Sequence, residues 1–382
     1  YLHGFAVFTV ASAACALAPS LGVLIGCRVA QAAGAALLQA NSVALVTTSA
    51  PRVRLRTALG VQAAAQAVGL ALGPTVGGAL VAAYGWRPVF ALNVPVGLLA
   101  LAAGHYLLPR TRERDGARAG AGLWGPVLLA VATTGLLLGL STASAPDVPA
   151  WRAVVPCAAA AAGGWGLVVH LRRSARPLVD PALLRRRAVA AGLAGALCNY
   201  LVLFGPLVLV PMAIGRAGGS SELAVGLVLT ALPAGFALAA TGADRVLPRR
   251  LSGRARCVLG ALVCVVALAG TAAACPGGSR PLPTGPALLG LGLLGLGLGV
   301  CTPANNALIM AAVPASAAGT GGGLVNMARG LGTALGIALV ALALQLTGDP
   351  RWAVLPLLVA ALLAMAAAWP GSPPERPGAG SG

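Results

Sequence analysis

Apolar runs of about twenty residues follow one another along almost the whole chain, each cut short by arginines, prolines or glycines. They cover 2–18, 20–49, 58–82, 88–108, 122–143, 150–171, 188–212, 223–242, 256–275, 285–312, 317–346 and 350–370. Hydrocarbon offers the backbone no hydrogen bonds, so a run of this length crosses a bilayer as a helix that satisfies itself. Composition agrees: 58% of the 382 residues are hydrophobic and 9% charged, with mean hydropathy +0.89. Water-soluble domains carry about 25% charge. The expected fold class is all-α integral membrane.

Arginine placement sets the orientation. Nineteen of the 26 basic residues fall on one set of alternate loops and the tail: 52/54/56, 110/112/114/118, 172/173/176/185/186/187, 245/249/250/254/256 and Arg376. The opposite loops hold Arg87, Arg152, Arg216, Arg280 and Arg351. The positive-inside rule then puts both ends of this chain in the cytoplasm. The formal charge of +18 is spread in short clusters between apolar runs, not gathered into a patch, so nucleic acid is not an expected partner. Every basic residue is arginine, which excludes a P-loop lysine, a Schiff-base lysine and a Ser-Lys dyad. The eight cysteines stand singly, as buried small side chains would, and no metal or cofactor is expected. His3, His105 and His170 lie at run edges without an orienting carboxylate. From Gly371 the composition is that of a disordered tail.

Charges inside a membrane are costly and mark candidate sites. Arg28 lies about two turns into the second run with Gln31 and Gln39 on the same helix face; it reads as a functional polar stripe or as an arginine snorkelling to the interface. Arg329 lies near the middle of the eleventh run with Gly322, Asn326 and Gly336, and serves either a transport pathway or a structural bond to a neighbouring helix. In the third run Gln62, Gln66, Gly69, Gly73 and Gly77 recur at steps of three and four, with Pro74 and Gly78 among them. Such a glycine face permits close helix packing, and the proline adds a bend. Gly290-Leu-Gly292-Leu-Leu-Gly295 spells a dinucleotide fingerprint, but no strand precedes it; Gly292, Gly295 and Gly299 with Pro303 and Asn306 read instead as a packing face with a polar end. Asn306, beside Asn305, lines a cavity or bonds across helices. All eight acidic residues map to loops, the tail or run edges, Glu222 among them as a helix cap.

Four stretches carry a resemblance to the major facilitator superfamily, and within it to the fourteen-helix drug/proton antiporters related to QacA and EmrB. Arg28-Val-Ala-Gln31-Ala32-Ala-Gly34-Ala35 resembles the R-x-x-Q-G-x-G-A motif, with Ala32 in place of its first glycine. Gly69 to Gly78 resembles the antiporter motif G-x-x-x-G-P-x-x-G-G, followed by Trp86, Arg87, Phe90, Asn93, Pro95 and Gly97 in the pattern W-R-x-x-F-x-x-N-x-P-x-G. Arg176 to Arg185 is similar to the family's cytoplasmic linker, and Asn326-Met-Ala-Arg329-Gly-Leu-Gly332 to its late N-x-x-R-x-x-G segment.

The resemblance implies a major facilitator fold with about 12 transmembrane helices present of an expected 14, since its motifs fall two helices early. It divides the chain into 1–115, the remainder of an N-terminal bundle; 116–187, two inserted helices and the linker; 188–370, a C-terminal six-helix bundle; and 371–382, the tail. It further implies a monomeric multi-pass protein of a bacterial plasma membrane, exchanging amphipathic drugs or secondary metabolites, cationic or of mixed polarity, for protons. Arg28 and Gln31 would link the proton step to the substrate cavity. Gly69, Gly73, Pro74, Gly77 and Gly78 would form the seam between bundles, and Gln62, Gln66, Asn306, Asn326 and Arg329 would line cavity or gate. The rivals are a uniporter or importer of the same fold, and a membrane remnant or scaffold that transports nothing. An intramembrane enzyme is disfavoured, because no nucleophile has a base at helical spacing.

Overall fold

The computed structural model describes residues 2–49, 55–107, 124–143, 149–174, 181–215, 222–248, 250–275, 283–314 and 317–369. All twelve apolar runs are helical there. They form α1 (Leu2–Ala16), α2 (Leu21–Ser49), α3 (Leu55–Tyr84), α4 (Arg87–Ala91) with α5 (Asn93–Leu107), α6 (Trp124–Ala143) and α7 (Val154–Arg173). After the short α8 (Pro181–Arg185) come α9 (Arg187–Phe204) with α10 (Pro206–Gly215), α11 (Glu222–Val246), α12 (Gly253–Ala274), α13 (Thr284–Ala312), α14 (Ala318–Thr347), and α15 (Pro350–Ala353) with α16 (Leu355–Ala368). Ten helical stretches among the described residues are long and apolar enough to cross a membrane. The two exceptions are α1, fifteen residues and so about 22 Å long, and the Thr75–Tyr84 portion of α3. The tail and the Arg176–Asp180 part of the linker lie outside the described residues.

Local chemistry explains the breaks. Pro206, after Gly205, and Pro356, after Leu355, cannot donate the next helical hydrogen bond, and α9/α10 and α15/α16 divide beside them. Gly85 (φ +79°) closes α3 and Gly348 (φ +66°) closes α14, both in the left-handed region where glycine carries no Cβ penalty. Two N-caps follow from the sequence: Ser252 Oγ accepts the Ala255 N–H at 3.2 Å, and Asp349 Oδ1 accepts the Arg351 N–H at 3.0 Å.

Glycines set the helix spacing in the second half of the chain. A methyl at Gly297 would lie 2.6 Å from the Gly260 carbonyl, and one at Gly260 would lie 2.5 Å from the Gly297 carbonyl, so α12 and α13 touch backbone to backbone. Gly295 and Gly299 bring α13 equally close to Leu232 and Phe236 of α11, and Gly332 and Gly336 bring α14 onto Leu197 and Leu201 of α9. The main buried core, with Leu232, Leu294, Leu298, Val340 and Leu357, fills this half. In the first half, α1 packs with α2, α4 and α5, while α3 leaves them to lie along α11. Gly135 and Gly163 seat α6 and α7 on each other, and α6 also reaches α14.

Candidate functional site

Two polar clusters occupy the helix interiors. The first grows from the close approach of α1 and α2. At Gly34 a side chain would strike the Phe8 backbone, 2.6 Å from its nitrogen, so a glycine here lets the two helices touch. That contact carries Gln31, 3% exposed, against Ser12. Arg28 Nη1 donates to Gln31 Oε1 at 2.7 Å, Gln31 Nε2 donates to Ser12 Oγ at 2.7 Å, and Ser12 Oγ donates to the Phe8 carbonyl at 2.6 Å. The Arg28 guanidinium lies 5.4 Å from the centre of the Phe90 ring. Phe90 meets Trp86 edge-on at 6.0 Å, and Arg87 stacks on Trp86 while donating to the Ala18 carbonyl at 3.3 Å. Three motif residues of α4 and its leading turn thus fasten the end of α1 to the start of α2. Arg28, Gln31 and Gln39 lie on one side of α2, as their spacing requires, and the Gln39 main-chain carbonyl, about three turns beyond Arg28, receives Asn326 of α14.

The second cluster is on α14. Arg329 Nη1 donates to Asn326 Oδ1 at 3.4 Å, and its guanidinium stands 5.3 Å from the Tyr200 ring centre. Tyr200 stacks on Phe204, centroids 6.1 Å apart. Arg329 Nε is buried with no hydrogen-bond partner. Asn326 Nδ2 donates to the Gln39 carbonyl at 3.4 Å, a contact between α14 and α2. On the helix 1.5 Å rise, Arg28 stands about 12 Å further from this crossing plane than Arg329 does. Gly336 does share the Arg329 face and packs on Leu201 of α9, next to the Tyr200 that Arg329 meets; Gly322 meets nothing within 4 Å.

The antiporter glycines Gly69, Gly73 and Gly77 take no part in the contact between α3 and α11. They were expected to make the tight seam, yet a Cβ added at any of them finds nothing within 4 Å. Thr75 lies about 200° around α3 from the centre of that stripe, and it is Thr75 that hydrogen-bonds Thr230 of α11. Periodicity identified a face of small residues but could not say which side of α3 a partner takes. Gly78 is half-buried and Gln66 exposed; the side chains of Gln62 and Pro74 lie outside the described residues, though α3 runs unbroken through both positions.

Between the neighbouring asparagines of α13 the roles divide. Asn305 Nδ2 donates across to the Gly192 carbonyl at 2.9 Å, whereas Asn306 follows the Gly295/Gly299 face and its Oδ1 is buried without a partner. The dinucleotide-like glycines lie inside continuous helix, where Gly290 and Gly295 pack on α12 and α11. Sequence reasoning missed Ser12, Phe90, Tyr200 and Thr230. Phe90 stood in a recognised pattern; the others are ordinary residues in apolar runs and acquire meaning only from the neighbour they meet.

An all-helical polytopic chain, glycine-packed and with two polar clusters inside its helices, has the architecture of a secondary transporter. The chain belongs to the Major Facilitator Superfamily, whose family model matches residues 1–337 and again 193–380. It is 31% identical over 356 residues to the multidrug resistance protein Stp of Mycobacterium tuberculosis, covering 89% of this chain and 62% of that protein. A methylenomycin A resistance protein of Streptomyces coelicolor is 31% identical over 355 residues, covering 91% and 72%, and a tetracenomycin C resistance and export protein of Streptomyces glaucescens 31% over 346, covering 89% and 62%. The chain therefore spans less than two thirds of the length of two of these three relatives. Among solved structures, a POT family transporter in complex with 5-aminolevulinic acid superposes with TM-score 0.68 at 13% identity, over 96% of this chain and 79% of that one, a likeness of fold.

Proposed function

We propose that this protein is an efflux permease of the fourteen-helix antiporter type, moving amphipathic drugs or secondary metabolites out of a bacterial cell by alternating access. The observation that carries this is how the halves meet. The helices of residues 2–107 touch those of 187–368 chiefly along α3 on α11, through Thr75 and Thr230, and where Gln39 of α2 receives Asn326 of α14. One long face, α3 along α11, and one slight contact between α2 and α14 join the halves, a division that suits bundles that rock about a midplane site. The resistance and export names of the relatives point the same way.

Arg28, Gln31 and Ser12 hold a fixed positive charge in the outer half of the membrane. Their proposed part is to link the proton step to the substrate cavity. The carboxylates in the described helices are Glu222, at the first position of α11, and Asp244, in its last turn. Proton coupling is therefore proposed from the family resemblance, with a uniporter of the same fold as its rival. Accumulation of ethidium and of fluorescein in cells expressing the full-length gene, with and without a protonophore, decides the matter. Lowered dye that the protonophore restores supports proton-coupled export; lowered dye that it leaves unchanged selects the uniporter; unchanged dye with the protein inserted refutes export of these compounds.

A further inference from the structure

The two intramembrane guanidinium groups are satisfied to different degrees. Arg28 has a short bond to Gln31 and closes a chain of three bonds ending on the Phe8 carbonyl. Arg329 has one long bond to Asn326, and its Nε is buried and unpartnered. It is the twelfth residue of the thirty in α14, so it sits about 17 Å from that helix's start, close to its middle. A guanidinium is a flat fork of five donors, matched in shape and charge to a carboxylate, and leaving it unpaired in a low-dielectric interior is costly.

The surroundings are arranged for an occupant. Gly322, Gly323 and Gly330 of α14 have nothing within 4 Å of an added Cβ, in contrast to Gly332 and Gly336, whose methyls would strike α9. Gly322 and Asn326 lie within about 60° of Arg329 around α14, so the guanidinium stands at the border between this open side and the α9 contact, and Asn326 faces α2 of the other half. The stacked rings of Tyr200 and Phe204 form an aromatic wall beside the fork.

Building on the export function above, we propose that Arg329, Asn326 and Tyr200 form a carboxylate subsite, and that the transported compounds include amphipathic organic anions. The carboxylate takes the Nε and Nη donors of Arg329 side by side, the Asn326 amide adds a donor once turned from Gln39, and the apolar body of the ligand lies along Tyr200. No bond is made or broken.

The test is equilibrium binding, which needs no driving force and so succeeds or fails independently of the export assay. Full-length protein in lipid nanodiscs is titrated against fluorescein, followed by anisotropy, with benzoate and benzyl alcohol as competitors. The expected result is saturable binding that benzoate displaces and benzyl alcohol does not. Arg329→Gln should weaken it about tenfold, the loss of one charge-assisted bidentate pair, and Arg152→Gln, on the periphery, should leave it unchanged. If Arg329→Gln does not give monodisperse protein, Arg329→Lys, which keeps the charge but not the fork, serves in its place with a loss of severalfold. No fluorescein binding to the wild type, equal displacement by both competitors, or wild-type affinity in the folded Arg329 variant overturns the proposal.

Discussion

Adding one methyl group at two glycines should have opposite effects. At Gly297 the new Cβ would lie 2.6 Å from the Gly260 carbonyl oxygen, 2.7 Å from Cys264 Sγ and 3.1 Å from Cys264 N. Carbon and oxygen in contact across helices normally stand about 3.3–3.6 Å apart, so α12 and α13 must separate by about 0.7–1 Å. A gap of that size forfeits about a quarter to a half of each neighbouring dispersion contact, and strain of this kind costs about 1–3 kcal/mol. The gain in helix propensity from glycine to alanine offsets at most about 1 kcal/mol. With that offset in full, Gly297→Ala is expected to lose up to about 2 kcal/mol net, and to fall about 1–3 kcal/mol below Gly73→Ala, which has the same propensity gain without the strain. At Gly73 the same methyl meets nothing within 4 Å, so only the propensity gain applies and Gly73→Ala should be neutral or slightly stabilising. Thermal unfolding of the two purified variants in one detergent compares them directly. Gly297→Ala as stable as Gly73→Ala would refute the backbone contact between α12 and α13.

Ser12→Ala removes the acceptor for the buried Gln31 amide and should cost about 1–3 kcal/mol in the same unfolding assay, part of which Gln31→Leu in the same chain recovers. Cys275, just beyond α12, is buried, and burial together with the charge of Asp349 raises its thiol pKa against the opposing pull of Arg351. With less thiolate at a given pH, Cys275 should react with N-ethylmaleimide more slowly than a cysteine placed at exposed Thr347, and faster as pH rises from 7 to 9. Asp349→Asn removes a raising charge and should speed the reaction, as mass spectrometry of alkylated protein would record. Phe90→Leu keeps bulk but removes the ring face under Arg28, and a loss of about 0.5–2 kcal/mol in thermal stability is expected.

Much of this architecture was legible in the sequence because lipid imposes a single rule, that spanning backbone be helical. Run lengths alone located the helices, ten of them among the described residues long and apolar enough to cross a membrane, and Gly295 and Gly299 announced a packing face that the structure places on α11. Orientation around a helix was harder to read. The period of Gly69, Gly73 and Gly77 is correct as a face but silent about its neighbour, and the contact with α11 falls on the opposite side, at Thr75. The same limit applied to Asn305 and Asn306, one step apart in sequence and 100° apart on the helix, only one of which bonds across. Arg28 and Arg329 were found from their cost in hydrocarbon. Their partners Ser12, Phe90 and Tyr200 arise from contacts between distant segments, which no local spacing encodes.

The crossing of α3 and α11 offers the most direct test of alternating access. In a full-length chain whose own cysteines are replaced, Thr75→Cys and Thr230→Cys put two thiols where the hydroxyls now meet. Oxidation should join them, halt dye export, and release it again on reduction, while each single variant exports throughout. Undiminished export from fully cross-linked protein would contradict a transport cycle in which the two halves part along this line.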